Sequence, residues 1–341
     1  MKCTARIRRI TYYFPPTTLS NNDLIESMGI KKWSEDDIYQ KTGIIKRHIV
    51  QPNETALDLG IQAVKKMFDD NICSASEIDF LLFCTQSPDY FLPASACIMH
   101  DKLGLNNNCG ALDYNQGCSG YIYGLSLAKG LIESGNAKNV LLVTSETYSK
   151  FINKKDRSTR TIFGDGAAAT LIGAVESDHD FIGSMVFGTN GKGAPNLIVT
   201  AGGMRLPLSD KVKTEFEDED GNIRSQANLY MNGPEIFNFA LQVVPKTVQE
   251  VLSKVKLGIE DIDYFVFHQA NKFMLEHLRK KMKIMKDKFW VDLSECGNTV
   301  SASIPIAVRM AMDAGKIKTG DYVMLVGFGV GYSWGACLIK I

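Results

Sequence analysis

Glu77-Ile78-Asp79-Phe80-Leu81-Leu82-Phe83-Cys84 and Asp261-Ile262-Asp263-Tyr264-Phe265-Val266-Phe267-His268 are one pattern written twice: an acidic lead-in followed by an unbroken apolar run. A short continuous apolar run with aromatic and β-branched content reads as a strand buried on both faces. The repetition extends outward from these two strands. Ahead of them, Ala56–Val64 and Ile236–Val244 share the apolar periodicity of a helix; after them, the glycine turn at Gly117, the helix ending at Gly135 and the apolar run Asn139–Val143 recur as Gly297, Gly315 and Asp321–Val326. Two halves of strands alternating with helices predict an α/β architecture in which each half supplies a mostly parallel, helix-covered sheet. The halves are expected to span 1–176 and 177–341. The boundary falls near 175–180, where Leu171–Val175 gives way to the polar run Glu176–Asp180.

Length and composition narrow the function classes. At 341 residues the chain exceeds what one hydrophobic core usually holds, in agreement with two halves. Hydrophobic content of 45% and charged content of 22% are those of a soluble globular protein, and Lys plus Arg balance Asp plus Glu at 38 each, so no global field recruits nucleic acid or membrane. The first ten residues lack the apolar core of a signal peptide, and no apolar run is long enough to span a bilayer. The 8 cysteines show neither CxxC pairs nor a disulfide-dense pattern, which fits reduced thiols in a cytoplasm and suggests no metal.

One of those cysteines stands apart. In Asp113-Tyr114-Asn115-Gln116-Gly117-Cys118-Ser119-Gly120-Tyr121, Cys118 lies between glycines where a strand over 109–113 gives way to a helix. A thiol there is expected to be presented rather than buried. The free N–H groups and positive dipole end of the helix should stabilise its thiolate and lower its pKa, the condition for a nucleophile near neutral pH. Cys84, Cys97 and Cys337, in apolar runs, read instead as small buried hydrophobes. The duplication places Asn298, in Gly297-Asn298-Thr299, at the counterpart of Cys118, and His268 at the counterpart of Cys84. A histidine after a strand is commonly structural and an asparagine after glycine commonly a cap. Their joint occurrence at matching ends of duplicated elements points to one cavity between the halves reached by Cys118, His268 and Asn298.

These motifs carry a resemblance. Thr42-Gly43-Ile44 with Arg47-His48, Gln116–Gly120, Phe163-Gly164-Asp165-Gly166-Ala167, His268-Gln269-Ala270-Asn271, Gly297–Pro305 and Gly327–Gly335 occur in the order seen in the β-ketoacyl-acyl-carrier-protein synthase III family of the thiolase superfamily, which the chain resembles along almost its whole length. The resemblance implies a five-layered α-β-α-β-α fold, a homodimer, and a Cys-His-Asn site at the foot of a tunnel for a phosphopantetheine arm carried by coenzyme A or acyl carrier protein. It implies that an acyl thioester loads Cys118, with the backbone N–H groups of Cys118 and Val330 holding the oxyanion. A malonyl thioester then decarboxylates against His268 and Asn298 and condenses to a 3-oxoacyl thioester, with no separate cofactor and no metal.

The chain departs from the family at its periphery. A tryptophan of the nucleotide clamp is replaced by Asp37 and one arginine by Lys41, while Arg157 matches and Trp33 lies nearby. The arginine usual after His-Gln-Ala-Asn-X is Phe273, with Lys272 one place earlier; beside Asn271, Lys272 is a substrate-binding candidate, and Arg279, Lys280 and Lys281 could meet an acidic carrier helix. Leu92, in Tyr90–Ser95, aligns with the segment that crosses the family's dimer to limit the acyl pocket. Val330 replaces a glycine and its side chain must find room. The acidic segment 214–220 reads as a solvated loop near the tunnel mouth. The altered clamp and carrier patches also leave open a different use of an acyl-Cys118: transfer to an amine or hydroxyl acceptor, such as an amino sugar, in a specialised pathway.

Overall fold

Continuous apolar runs become central strands here because helices cover both of their faces. The computed structural model describes residues 1–29 and 32–341, and in it the main strands form two five-stranded sheets. In spatial order the first is Lys2–Tyr13, Gly166–Ser177, Asn139–Glu146, Phe80–Cys84 and Gly110–Tyr114. The second is Ile182–Thr189, Ser333–Lys340, Tyr322–Gly329, Tyr264–Phe267 and Phe289–Trp290. Both orders run first, fifth, fourth, second, third along their own half of the chain. Phe80–Cys84 and Tyr264–Phe267 are each parallel to both neighbours, and the other pairings are antiparallel. The strand expected over 109–113 is displaced by one residue, to Gly110–Tyr114.

The alternation within each strand shows how the layers stack. Leu82, Val140 and Leu142 of the first sheet and Tyr264, Val266, Val323 and Leu325 of the second face a common core, filled by Ile122, Leu125 and Ile132 of helix Gly120–Glu133 and by Ile304, Ala307 and Val308 of helix Ser303–Asp313. Their neighbours point the other way. Leu81, Phe83, Leu141 and Val143 pack on helix Ala56–Asp69, while Phe265, Phe267, Met324 and Val326 share a core with helices Gly233–Val255 and Lys272–Lys281. The result is the expected five-layered α-β-α-β-α order, with two helices as the filling between the sheets. Full burial of each large aliphatic side chain in that middle layer contributes roughly 1.5–3 kcal/mol, so the two halves are held together by an extensive apolar interface. Among the described residues, no helix is long and apolar enough to cross a membrane.

Capping chemistry sets the helix starts. Thr55 accepts from the Asp58 N–H while Asp58 accepts from the Thr55 N–H at 3.1 Å, a reciprocal capping box that opens Ala56–Asp69. The two middle-layer helices have no such side-chain cap. Their first residues are buried, and the turns that precede them, Gly117–Ser119 and Gly297–Ala302, are turned inward to face each other.

Candidate active site

Cys118 stands just ahead of Ser119, the N-cap of helix Gly120–Glu133. Its thiol is not presented, as expected from the turn alone, but buried, with 4% exposure. The second half causes this. Strand Tyr322–Gly329 runs so close that a Cβ on Gly329 would lie 2.7 Å from the Cys118 Sγ, and one on Gly327 would lie 2.7 Å from the Cys118 carbonyl oxygen. No other residue fits at Gly329 without moving the Cys118 side chain. Val330 finds its room in the same way: its Cγ1 occupies the space left by the absent side chain of Gly117.

Burial also reverses the expected acidity. In the unliganded site the Cys118 thiol is pushed up to about 12, chiefly by desolvation and further by nearby Glu146. The hydrogen bond from the Val330 backbone and that from the Cys118 backbone act in the lowering direction but are outweighed. Both backbone groups therefore converge on the sulfur. Cys84 and Cys337 are buried as expected; Cys97 is exposed, because it lies on the outward face of the short helix Ser95–Lys102.

His268 follows strand Tyr264–Phe267 and is 2% exposed. Desolvation drives its pKa down to about 3, so the ring is neutral at working pH. Its Nδ1 lies 2.7 Å from Ser303 Oγ, which in turn accepts from the Gln269 N–H at 3.4 Å. When the Ser303 hydroxyl donates to Nδ1, the imidazole proton resides on Nε2. The edge of Phe328 packs against the ring, with centroids 5.7 Å apart. Ser303 and Phe328 sit inside the sequence motifs, yet no spacing rule singles them out, because their partner is brought near only by packing of two sheets and a helix.

Asn298 is held from the first half. Its N–H donates to the Ile162 carbonyl at 2.9 Å, and its own carbonyl accepts from the Gly164 N–H at 3.0 Å. This approach requires glycine at 164, where a Cβ would strike the Cys296 carbonyl oxygen. The Asn298 Oδ1 accepts from the Val300 N–H at 2.8 Å, which leaves the amide nitrogen available. Val300 itself has φ of 53°, a left-handed conformation costly for a β-branched residue by about 1–3 kcal/mol and persisting only where surroundings enforce it. A 3₁₀ turn over Val300–Ala302 separates Asn298 from helix Ser303–Asp313, whereas Cys118 directly precedes its helix cap.

Cys118, His268 and Asn298 meet in one cavity of about 110 Å³, whose wall includes Phe163, Leu197, Met231, Ile236, Met274 and Phe328. A buried thiol under two backbone N–H groups, sharing a largely apolar chamber with a neutral imidazole and an oriented amide, is an arrangement that suits acyl transfer. Residues 112–191 match the family model of 3-oxoacyl-[acyl-carrier-protein] synthase III, and residues 252–341 match the model of its C-terminal part. The chain is 38% identical to the beta-ketoacyl-[acyl-carrier-protein] synthase III of Caldanaerobacter subterraneus subsp. tengcongensis over 99% of this chain and 98% of the relative.

The chain belongs to the 3-oxoacyl-[acyl-carrier-protein] synthase III family.

The protein of the same name from Clostridium perfringens is 39% identical over 96% of this chain and 97% of its own length. Among solved structures, a 3-oxoacyl-(acyl-carrier-protein) synthase III at 2.1 Å superposes with a TM-score of 0.97 at 48% identity, covering 99% of this chain and 100% of that one. The Thermus thermophilus enzyme superposes with a TM-score of 0.86 at 33% identity, covering 98% of this chain and 99% of its own. Membership makes the chain an acyl-transferring enzyme of the condensing type.

The residues considered for a nucleotide clamp line a second, outer cavity of about 230 Å³ that shares Ile162 and Asn271 with the inner one. Trp33, Asp37, Lys41 and Arg157 are on its wall. Asp37 has a local task there: its carboxylate accepts from the Ser34 N–H at 2.8 Å and hydroxyl at 2.7 Å, closing the capping box of helix Glu35–Thr42, and these bonds hold it below the usual carboxylate range. The Lys41 ammonium lies 5.4 Å from the Trp33 ring centroid, so the two residues form one cationic and aromatic platform. Asn271 caps helix Lys272–Lys281 by accepting from the Met274 N–H at 2.9 Å.

Three candidates lie outside both cavities. Lys272 is exposed and turned toward helix Glu35–Thr42, with its ammonium 3.4 Å from the Tyr39 hydroxyl. Leu92 is 82% exposed beside Tyr90 at 62% and Phe91 at 78%, and it does not line the cavity that holds Cys118. Arg279 is engaged by Glu276 at 2.9 Å and by the Ile284 carbonyl, while Lys280 and Lys281 are exposed. Phe273 packs against His277 with tilted rings, their centroids 4.2 Å apart. The acidic segment is more ordered than a solvated loop: Phe216–Glu217 pairs with Ile223–Arg224, and buried Arg224 bridges Asp218 and Asp156 at 2.9 and 3.1 Å. Gly221 of that hairpin packs on the Arg157 guanidinium, so the segment does border the outer cavity.

Proposed function

We propose that this enzyme joins an acyl group held on Cys118 to the two-carbon unit of a malonyl thioester, releasing carbon dioxide and a 3-oxoacyl thioester. The convergence of Cys118, His268 and Asn298 on one buried cavity carries this reading. In the first half-reaction the Cys118 sulfur attacks the acyl thioester carbonyl. The tetrahedral oxyanion accepts from the Cys118 and Val330 N–H groups, and collapse expels the pantetheine thiolate, which leaves with the proton that Cys118 gives up. A thiol pushed to about 12 in the empty site makes this proton transfer part of loading rather than a step completed beforehand.

In the second half-reaction the malonyl thioester carbonyl accepts from His268 Nε2–H and the Asn298 amide. The bond to the carboxylate breaks, carbon dioxide departs, and the electron pair becomes an enolate held by these donors. The enolate attacks the acyl-Cys118 carbonyl and forms the new carbon–carbon bond, the same two backbone N–H groups hold the second oxyanion, and its collapse expels the Cys118 thiolate, which takes a proton from solvent. Neutrality of His268 is useful here. An imidazolium would bind the malonyl carboxylate as strongly as the enolate and so stabilise the ground state along with the transition state. Each donor in a water-poor site is worth about 3 kcal/mol.

The outer cavity suits the phosphate-bearing end of a pantetheine arm, with Arg157 and the Lys41–Trp33 platform as its cationic wall and Asn271 at the joint between chambers. The exposed Tyr90-Phe91-Leu92 segment suits insertion into a second copy of the chain, as a homodimer with Leu92 limiting the partner's acyl pocket. Exposed Lys280 and Lys281 suit an acidic acyl carrier protein, and the reaction belongs in the cytoplasm with substrate-borne phosphopantetheine and no separate cofactor. Incubation with malonyl-carrier protein and a panel of acyl thioesters, followed by intact mass and carbon dioxide measurement, tests the reading. It predicts an acyl adduct on Cys118 that disappears with carbon dioxide release; loss of the adduct to an amine or hydroxyl acceptor without carbon dioxide overturns it.

A further inference from the structure

Glu146 ends strand Asn139–Glu146, is fully buried, and takes no part in the steps above. One carboxyl oxygen lies 2.8 Å from Ser301 Oγ; the other accepts from the Gln86 N–H at 3.0 Å and lies 3.2 Å from Ser87 Oγ. Ser301 belongs to the turn that carries Asn298 in the second half. Gln86 belongs to the first half, where its side-chain oxygen takes the Tyr148 hydroxyl at 2.5 Å and packs against Gly117, next to Cys118. One carboxyl group thus ties the Asn298 turn to the Gln86–Ser87 segment, whose Gln86 side chain packs on Gly117.

The strand registers give this contact a counterpart. Phe80 pairs with Val140, and its equivalent Tyr264 pairs with Val323, so counting along both strands makes Gly329 the equivalent of Glu146. Gly329 of the second half presses on Cys118 of the first, and Glu146 of the first half reaches the Asn298 turn of the second. Each strand end braces the other half's turn. The second turn has more need of bracing, because it holds Val300 in the left-handed region.

We propose that Glu146 is a positioning residue: through Ser301 it fixes the Asn298 turn for the decarboxylating half-reaction. The titratable groups facing it are Cys84, Tyr114, Cys118, Tyr148 and Asp165, with no cation among them, and desolvation pushes its carboxyl up to about 8. Near neutral pH it is therefore an uncharged bracket. Above about pH 8 it becomes a buried anion behind the turn that carries Asn298, which disfavours formation of an enolate there while leaving the loading step less affected.

The inference rests on the condensing reading, and the test separates the two. Cys118 acylation by intact mass and carbon dioxide release from malonyl-carrier protein are measured from pH 6 to 9.5 for wild type, Ser301→Ala, Glu146→Ala and Glu146→Gln. Loss of the bracket in Ser301→Ala and Glu146→Ala should slow decarboxylation about tenfold or more, as expected for a small displacement of a reacting group, and change acylation by less than about threefold. Glu146→Gln, uncharged at every pH, should recover most of that loss and flatten the alkaline limb of the decarboxylation profile. Equal losses in both half-reactions, an unchanged Ser301→Ala, or an alkaline limb retained in Glu146→Gln overturns the proposal. A wild-type protein that acylates Cys118 but never releases carbon dioxide overturns the condensing reading and the bracket with it.

Discussion

Cys118 and Asn298 occupy equivalent turns of two halves with the same strand order, yet their surroundings differ in kind. The first turn leads straight into its helix and is sealed by glycines of the opposite sheet, which bring backbone N–H groups onto a sulfur. The second is lengthened by a 3₁₀ turn, contains a strained valine, and is fastened by hydrogen bonds to Ile162, Gly164 and the Glu146 carboxyl. The same contrast separates Cys84, which spends its thiol on the Gln116 carbonyl at 2.9 Å, from His268, whose ring is oriented by Ser303. A duplicated frame supplies equivalent positions; the contacts made across the frame decide what each position can do.

The largest break in that comparison is removal of the nucleophile. Cys118→Ala should abolish the acyl adduct seen by intact mass and lower 3-oxoacyl formation at least ~10⁴-fold, as for other enzymes stripped of their nucleophile. His268→Ala should act on the opposite side, with adduct formation retained and carbon dioxide release reduced by ~10²–10³-fold, the cost of one lost donor to a developing oxyanion. If both half-reactions collapse together, the division of labour between the halves is wrong.

Gly329→Ala tests the seal over the first turn. A Cβ 2.7 Å from Sγ must displace the nucleophile or its backbone, and a misplacement near 1 Å predicts about a 10²-fold loss of acylation rate. Ser303→Ala removes the hydroxyl that bonds His268 Nδ1 and accepts from the Gln269 N–H, so a smaller loss in decarboxylation, about tenfold, is expected, with acylation unchanged. The pH dependence of alkylation sharpens the same contrast: with its thiol pushed up to about 12, Cys118 of the unliganded enzyme should react with iodoacetamide at a rate still rising above pH 9. A plateau near pH 7 would show that the backbone N–H groups outweigh burial.

The smallest expected effect is on stability. Asp165 and Glu146, both buried in the first half, are raised to about 6 and about 8 by desolvation, against ordinary values near 4. Folding favours their protonated forms, so their contribution is fully present below about pH 4 and is lost as pH rises through 6 and then 8. The melting temperature should decline by a few degrees between pH 5 and 9, and by less in Glu146→Gln.

Much of this molecule was legible before its coordinates. The twofold recurrence of an apolar strand and of a glycine turn was enough to propose two α/β halves, because fully buried strands and helix starts leave local signals in hydrophobicity and glycine placement. It was also enough to bring Cys118, Asn298 and His268 into one hypothesis, since equivalent positions in duplicated elements must face one another if the halves pack about a common axis. Burial was not legible. Cys118 read as presented and acidic from its own turn, and the residues that make it buried and weakly acidic lie in the other half, far along the chain. Nor could spacing reveal the Ser303–His268 contact, the cross-bracing by Gly329 and Glu146, or the order within the acidic hairpin.

The sequence by itself determined the repeated frame and the chemical types placed in it, because periodicity and turn chemistry act over a few neighbouring residues. Only the tertiary structure decided protonation, orientation and access. Desolvation and hydrogen-bond partnership are sums over everything within a few ångströms, and at this site those neighbours come from both halves of the chain.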